Sequence, residues 1–162
     1  MMNESQPRPT PFVAQLERMY PLVEMVCVAT FLITLFRQPS WRNDAITASL
    51  TALAAVFFLR AFSPPKKKPE ETDTRAQLLL PKLLGIGSSV CLIGFLFYLL
   101  HLEGADQMLL IGTGTLAGCL VGSIMAAVKS STALETLLPL ILRGAAVAVL
   151  GVYGLYRLGF FN

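Results

Sequence analysis

The sequence predicts an all-α fold, a polytopic bundle of about five transmembrane helices, and three observations carry that expectation. The chain is 54% hydrophobic with only 14% charged residues, and its mean hydropathy is +0.63; a soluble domain carries about 25% charged residues. Five apolar segments approach the roughly 20 residues that a helix needs to cross about 30 Å of hydrocarbon at about 1.5 Å per residue. Those segments are apolar throughout, whereas the strands of a membrane barrel alternate, and an open sheet edge in lipid would leave backbone groups unpaired. At 162 residues the chain has the length of one domain.

The elements follow in order. Residues 1–17 are polar and proline-rich, without the basic start and small-residue cleavage site of a secretory signal, and read as a disordered cytoplasmic tail. Residues 18–62 form a first hairpin, with spans from Met19 to Phe36 and from Asp44 to Phe62. Residues 63–77, with Lys66, Lys67, Lys68 and Arg75, form a basic loop. Residues 78–128 form a second hairpin, spanning from Leu78 to Leu100 and from Asp106 to Val128, and residues 129–162 hold a final helix from Leu137 to Leu158. Arg8, Arg18, the basic loop with its flanks Arg60 and Lys82, and Lys129 fall on one side, against Arg37, Arg42 and Arg157 on the other. By the positive-inside rule the N-terminus is expected on the cytoplasmic side.

The hairpins share a pattern. VCVATFLITL at 26–35 aligns with VCLIGFLFYL at 90–99, matching Val26/Val90, Cys27/Cys91, Phe31/Phe95, Leu32/Leu96 and Leu35/Leu99, which suggests a tandem parallel repeat.

Composition excludes several functions. Cys27, Cys91 and Cys119 each stand alone in an apolar run, and one histidine rules out bis-histidine haem ligation within a subunit. No cofactor or metal site is expected. The lysine run is short and flanked by Glu70, Glu71 and Asp73, which reads as a solvated loop and not as a nucleic-acid patch. Nucleophile, phosphate-loop and metalloprotease motifs are missing, so the chain is read as non-enzymatic.

Three polar or small-residue features remain. Gly114, Gly118 and Gly122 repeat every four residues and share one helix face, where missing side chains let helix backbones approach, within the fold or between copies. Glu24 and Arg143 sit about one turn inside spans entering from the same side. Each is expensive in lipid when alone, which leaves two readings: a Glu24–Arg143 contact, or separate snorkelling of both side chains to the headgroups. The turn His101-Leu102-Glu103-Gly104-Ala105-Asp106 gathers the one histidine with two carboxylates. It reads as a candidate proton site built from His101, Glu103 and Asp106, or as a plain helix end with Gly104 at the cap and Asp106 capping the next helix.

The run from Gly94 to Gly112, GFLFYLLHLEGADQMLLIG, resembles the transmembrane hairpin of gliding-motility proteins of the GldL type, found in Bacteroidetes. His101, Gly104, Ala105, Met108, Leu109, Ile111 and Gly112 fit that pattern, while Tyr98 stands where the family often has lysine and Leu102-Glu103 where it has Trp-Pro. The resemblance implies a part in gliding or type IX secretion. The family's motor members carry a glutamate in the second helix, and Thr113–Gly118 has no acid, so their proton conduction is not implied here. The expected function is an accessory or interaction component of a membrane assembly. Its partners are the lipid bilayer, other membrane helices and further copies of itself, not nucleic acid. The alternative is a small transporter or proton-coupled channel.

Overall fold

The computed structural model describes residues 11–37, 41–62, 75–129 and 131–160. They form α1 (Pro11–Arg37), α2 (Arg42–Phe62), α3 (Arg75–Leu99), α4 (Ala105–Lys129) and α5 (Ser131–Arg157), with no strand among the described residues. Each helix contains a stretch of 19 to 21 residues long and apolar enough to cross a membrane. The chain is an integral membrane helical bundle, as its composition predicts.

Three boundaries differ from the sequence reading. Residues 11–17, expected in a disordered tail, are the opening turns of α1, residues 75–77, expected in the basic loop, begin α3, and α5 starts at Ser131, ahead of the expected Leu137. Hydropathy marks only the immersed part of a helix. A helix continues past it because its backbone bonds are internal, and Pro11 suits a first turn, where its missing N–H has no partner to lose. Residues 1–10 and 63–74, including Lys66, Lys67 and Lys68, lie outside the described residues.

The five helices alternate in direction. The α2–α3 and α4–α5 connections share one end with the start of α1, here the basic end, and the α3–α4 turn marks the other. Each helix that enters from the basic end contains a proline: Pro21 in α1, Pro81 in α3 and Pro139 in α5. Proline cannot donate to the carbonyl four residues before it. Those carbonyls belong to Glu17, Gln77 and Glu135, polar residues at the edge of the apolar runs, where water can replace the lost bond.

Helix α3 is the centre of the bundle, packed against α2, α4 and α5, while α1 packs along α2. Its Leu84, Cys91 and Leu92 are fully buried, together with Leu50 of α2 and Leu109 and Leu116 of α4. Glycines set how close the helices come. A Cβ on Gly112 of α4 would stand 2.6 Å from the Cys91 backbone nitrogen, and one on Gly94 of α3 would stand 2.8 Å from the Leu109 nitrogen. Gly85 of α3 meets Ala61 of α2, and Gly144, Gly151 and Gly154 of α5 meet Leu84, Thr113 and Leu109 in turn. At the point where α3, α4 and α5 converge, the Cys91 thiol lies 3.7 Å from Thr113 Oγ1 and donates to the Val147 carbonyl at 3.6 Å.

The aligned residues of the two hairpins are buried unequally. Cys27, Cys91, Phe31 and Phe95 are all buried, and the two phenylalanine rings meet edge to face with centroids 6.4 Å apart. Val26 and Leu32, however, are exposed, whereas their counterparts Val90 and Leu96 are covered. Helix α3 has neighbours on several sides and α1 does not.

Substitution at the convergence point is therefore expected to be severe. Gly112→Leu forces a side chain into the α3 backbone and should destabilise the monomer by about 1–3 kcal/mol or more. Gly118→Leu, at an open position, should cause no loss and gain up to about 1 kcal/mol from helix propensity. Unfolding curves in dilute micelles compare the two, and equal losses would contradict this packing.

Candidate functional site

The charged residues of the described chain gather at the two ends of the bundle. At the basic end, Arg143 Nε donates to Glu24 Oε1 at 3.0 Å, and Arg60 Nη1 lies 3.7 Å from Glu24 Oε2. The Glu24 side chain is 15% exposed, against 31% for Arg143 and 40% for Arg60. Glu24 and Arg143 thus meet as their cost in lipid demands. The sequence gives no sign of Arg60 as a partner, since it flanks the basic loop and reads as part of that charge cluster. Its place in the last turn of α2, antiparallel to α1, brings it to the level of Glu24.

The pair spans a gap. Among the described residues, α1 and α5 make no direct backbone approach, so Arg143 reaches across to close the ring. A laterally open groove of about 410 Å³ runs along this face of α1, lined by Pro21, Glu24, Met25, Val28, Ala29 and Leu32, with Arg143 over it.

At the turn end, α3 closes in a Schellman motif. The His101 N–H bonds to the Tyr98 carbonyl and the Leu102 N–H to the Phe97 carbonyl, at 3.2 and 2.9 Å, with His101 itself in the left-handed region at φ 55°. The sequence suggests Gly104 for the helix cap; His101 takes that position instead. Gly104, at φ 82°, is the N-cap of α4, its carbonyl accepting from the Met108 N–H at 3.1 Å. Asp106 is not the cap but stands in the first turn of α4, where its charge favours the helix dipole. His101, Glu103 and Asp106 are all exposed, and no ion pair joins them among the described residues. The structure does not bring them near Glu24 and Arg143, which lie at the other end. Instead His101 borders a cavity of about 330 Å³ with Arg42, Asn43 and Tyr98, in which the buried Arg42 Nε has no hydrogen-bond partner.

Between the ends, hydroxyls turn back on their own helices. Thr34 donates to Thr30 and Phe31 carbonyls, Ser49 to Ile46, Ser88 to Leu84 and Ser89 to Ile86. The regular glycine face divides. Gly114 and Gly118 are exposed, and a Cβ added to either would meet nothing within 4 Å, while one on Gly122 would stand 3.1 Å from Leu80 Cδ2. Packing within the fold falls to Gly85, Gly94, Gly112, Gly144, Gly151 and Gly154, whose irregular placement over three helices gives no signal in the sequence. No three His, Cys, Asp or Glu side chains gather to hold a metal among the described residues.

No protein-family model matches the chain, and no curated protein or solved structure matches it either. Within the run from Gly94 to Gly112, the residues Gly94, Met108, Leu109 and Gly112 are those that close the α3–α4 hairpin.

Two outcomes follow. Glu24→Arg and Arg143→Glu should each destabilise the fold by about 1.5–3 kcal/mol, the range of a charged hydrogen bond. The double exchange should recover part of that loss, held back by Arg60 beside the new arginine; no recovery in unfolding measurements would mean that the pair contributes nothing. His101→Gly should raise stability by up to about 1 kcal/mol, because glycine adopts the left-handed region without steric cost.

Proposed function

We propose that the chain is a non-enzymatic component of a bacterial inner-membrane assembly, oriented with its N-terminus in the cytoplasm, that docks on other membrane helices through the outward face of α4. The observation that carries this reading is the open stretch at Gly114 and Gly118. Glycine within a helix costs about 1 kcal/mol relative to alanine, and facing lipid it gains nothing in return. Against another helix the same absence of side chains allows close backbone contact. The other glycines within the helices each meet a neighbouring helix of the chain, and these two have none. Exposed Ile111, Val121 and Met125 flank the stretch and would pack beside it.

The resemblance of residues 94–112 to the GldL-type hairpin supports placing that assembly in gliding or type IX secretion. The transporter reading has less support. His101 and Glu24 lie at opposite ends of the bundle, and Thr34, Ser49, Ser88 and Ser89 donate along their own helices without forming a polar path between them.

The test is native mass in nanodiscs. The wild-type chain should be an oligomer, alone or with a partner, and Gly118→Leu should shift it to the monomer while leaving its helicity intact. A wild-type monomer that captures no partner, together with proton flux in liposomes that is lost in His101→Ala, would reverse the order of the two readings.

A further inference from the structure

We infer that the groove along α1 is a binding site for an anionic phospholipid, with the lipid phosphate on Arg143 and one acyl chain against Met25, Val28, Ala29 and Leu32. This site is separate from the α4 face and does not rest on the function proposed for it. Three observations point to this occupant.

The first is length. Beyond Arg143 the apolar groove residues from Met25 to Leu32 follow one face of α1 over about 10 Å at 1.5 Å per residue. That fits within a single leaflet, about half of the roughly 30 Å hydrocarbon core. The groove opens sideways, so a chain can enter from the bilayer without crossing protein.

The second is chemistry along the groove. Its outer part is apolar, and Met25, Val28 and Leu32 are 70%, 40% and 46% exposed, free to be covered. Its polar groups are confined to the basic end, where Glu24 and Arg143 stand about one turn inside the helix entry points. An amphipathic ligand with one charged end and one apolar tail matches this division. A helix from a second copy matches it less well, because a helical backbone has no free acceptors for the guanidinium.

The third is the place of Arg143. Guanidinium has five N–H donors, more than one carboxylate can take, and Nε donates to Glu24 Oε1 at 3.0 Å. The side chain, 31% exposed, lies over the groove. Arginine in this position favours a phosphate, which accepts two N–H groups at once. The Glu24 bond fixes the plane of the guanidinium and so aims the remaining donors. Basic groups between helices on the side rich in lysine and arginine are also where anionic headgroups concentrate.

The experiment uses the full-length chain, delipidated in detergent and then exposed to phosphatidylglycerol or phosphatidylcholine, with bound lipid counted by native mass spectrometry. Wild-type protein should hold one phosphatidylglycerol about tenfold more tightly than Arg143→Gln, a difference within the range of a charged hydrogen bond. Ala29→Trp, which fills the groove without touching the charges, should abolish that binding, and Val149→Trp, at an exposed position of α5 outside the groove, should leave it unchanged. If Arg143→Gln does not fold, Ala29→Trp decides alone. Retention of phosphatidylglycerol by Ala29→Trp at the wild-type level overturns the proposal, as does equal retention of the two lipids by the wild type. A wild-type dimer that Ala29→Trp converts to monomer also overturns it, because the groove is then covered by a second copy.

Discussion

Lipid tails are as apolar as leucine, so helices inside a bilayer gain little by hiding apolar side chains from their surroundings, and this bundle is held by backbones that touch. Cys91 lies where that contact is closest. Gly112 presses on its backbone from α4, Gly151 approaches its thiol from α5, and the thiol itself donates to Val147. Gly94 extends the α3–α4 contact towards the turn, and Gly85 begins the contact with α2 on another side of α3. The rest of the architecture is arranged around this column.

Helix α1 stands apart from it. Its attachment consists of packing along α2, the edge of Phe31 against Phe95, and the ion pairs of Glu24 with Arg143 and Arg60. The first two are apolar and lie deeper; the third is ionic and lies near the basic end. The outer helix is thus held by different forces at different depths, and its groove lies beside the ionic one. At the other end, a second set of polar groups around Arg42 and His101 has no link to the first. Between the ends, Thr34 and Ser88 donate to carbonyls of their own helices, Thr113 contacts the Cys91 thiol of α3, and the buried Ser123 hydroxyl has no partner among the described residues.

Much of this is legible in the sequence wherever lipid imposes a large energy. The spans can be read because about 20 apolar residues have few alternatives, and the Glu24–Arg143 contact because two charges at matched depth are each costly alone. The ends of helices are less legible. Residues 11–17 and 75–77 are helical in polar sequence, where hydropathy carries no signal. Gly104 looks like the cap of α3 because glycine is the usual choice, yet the hydrogen bonds put His101 there. The glycines are legible only as a set. The regular spacing of Gly114, Gly118 and Gly122 marks one face of a helix but not which face of the bundle it joins, and Gly112, just before that series, is the internal contact.

The three prolines have a consequence for how the molecule sits in its membrane. Each leaves a carbonyl without an intrahelical donor, and all three carbonyls, those of Glu17, Gln77 and Glu135, lie towards the basic end. A bundle displaced a few ångströms toward the far leaflet would draw those groups into hydrocarbon, at several kcal/mol for each that lost its water. The backbone of α1, α3 and α5 therefore acts as a depth gauge. It limits vertical travel on one side of the bilayer, independently of the charged and aromatic side chains that usually anchor a membrane protein.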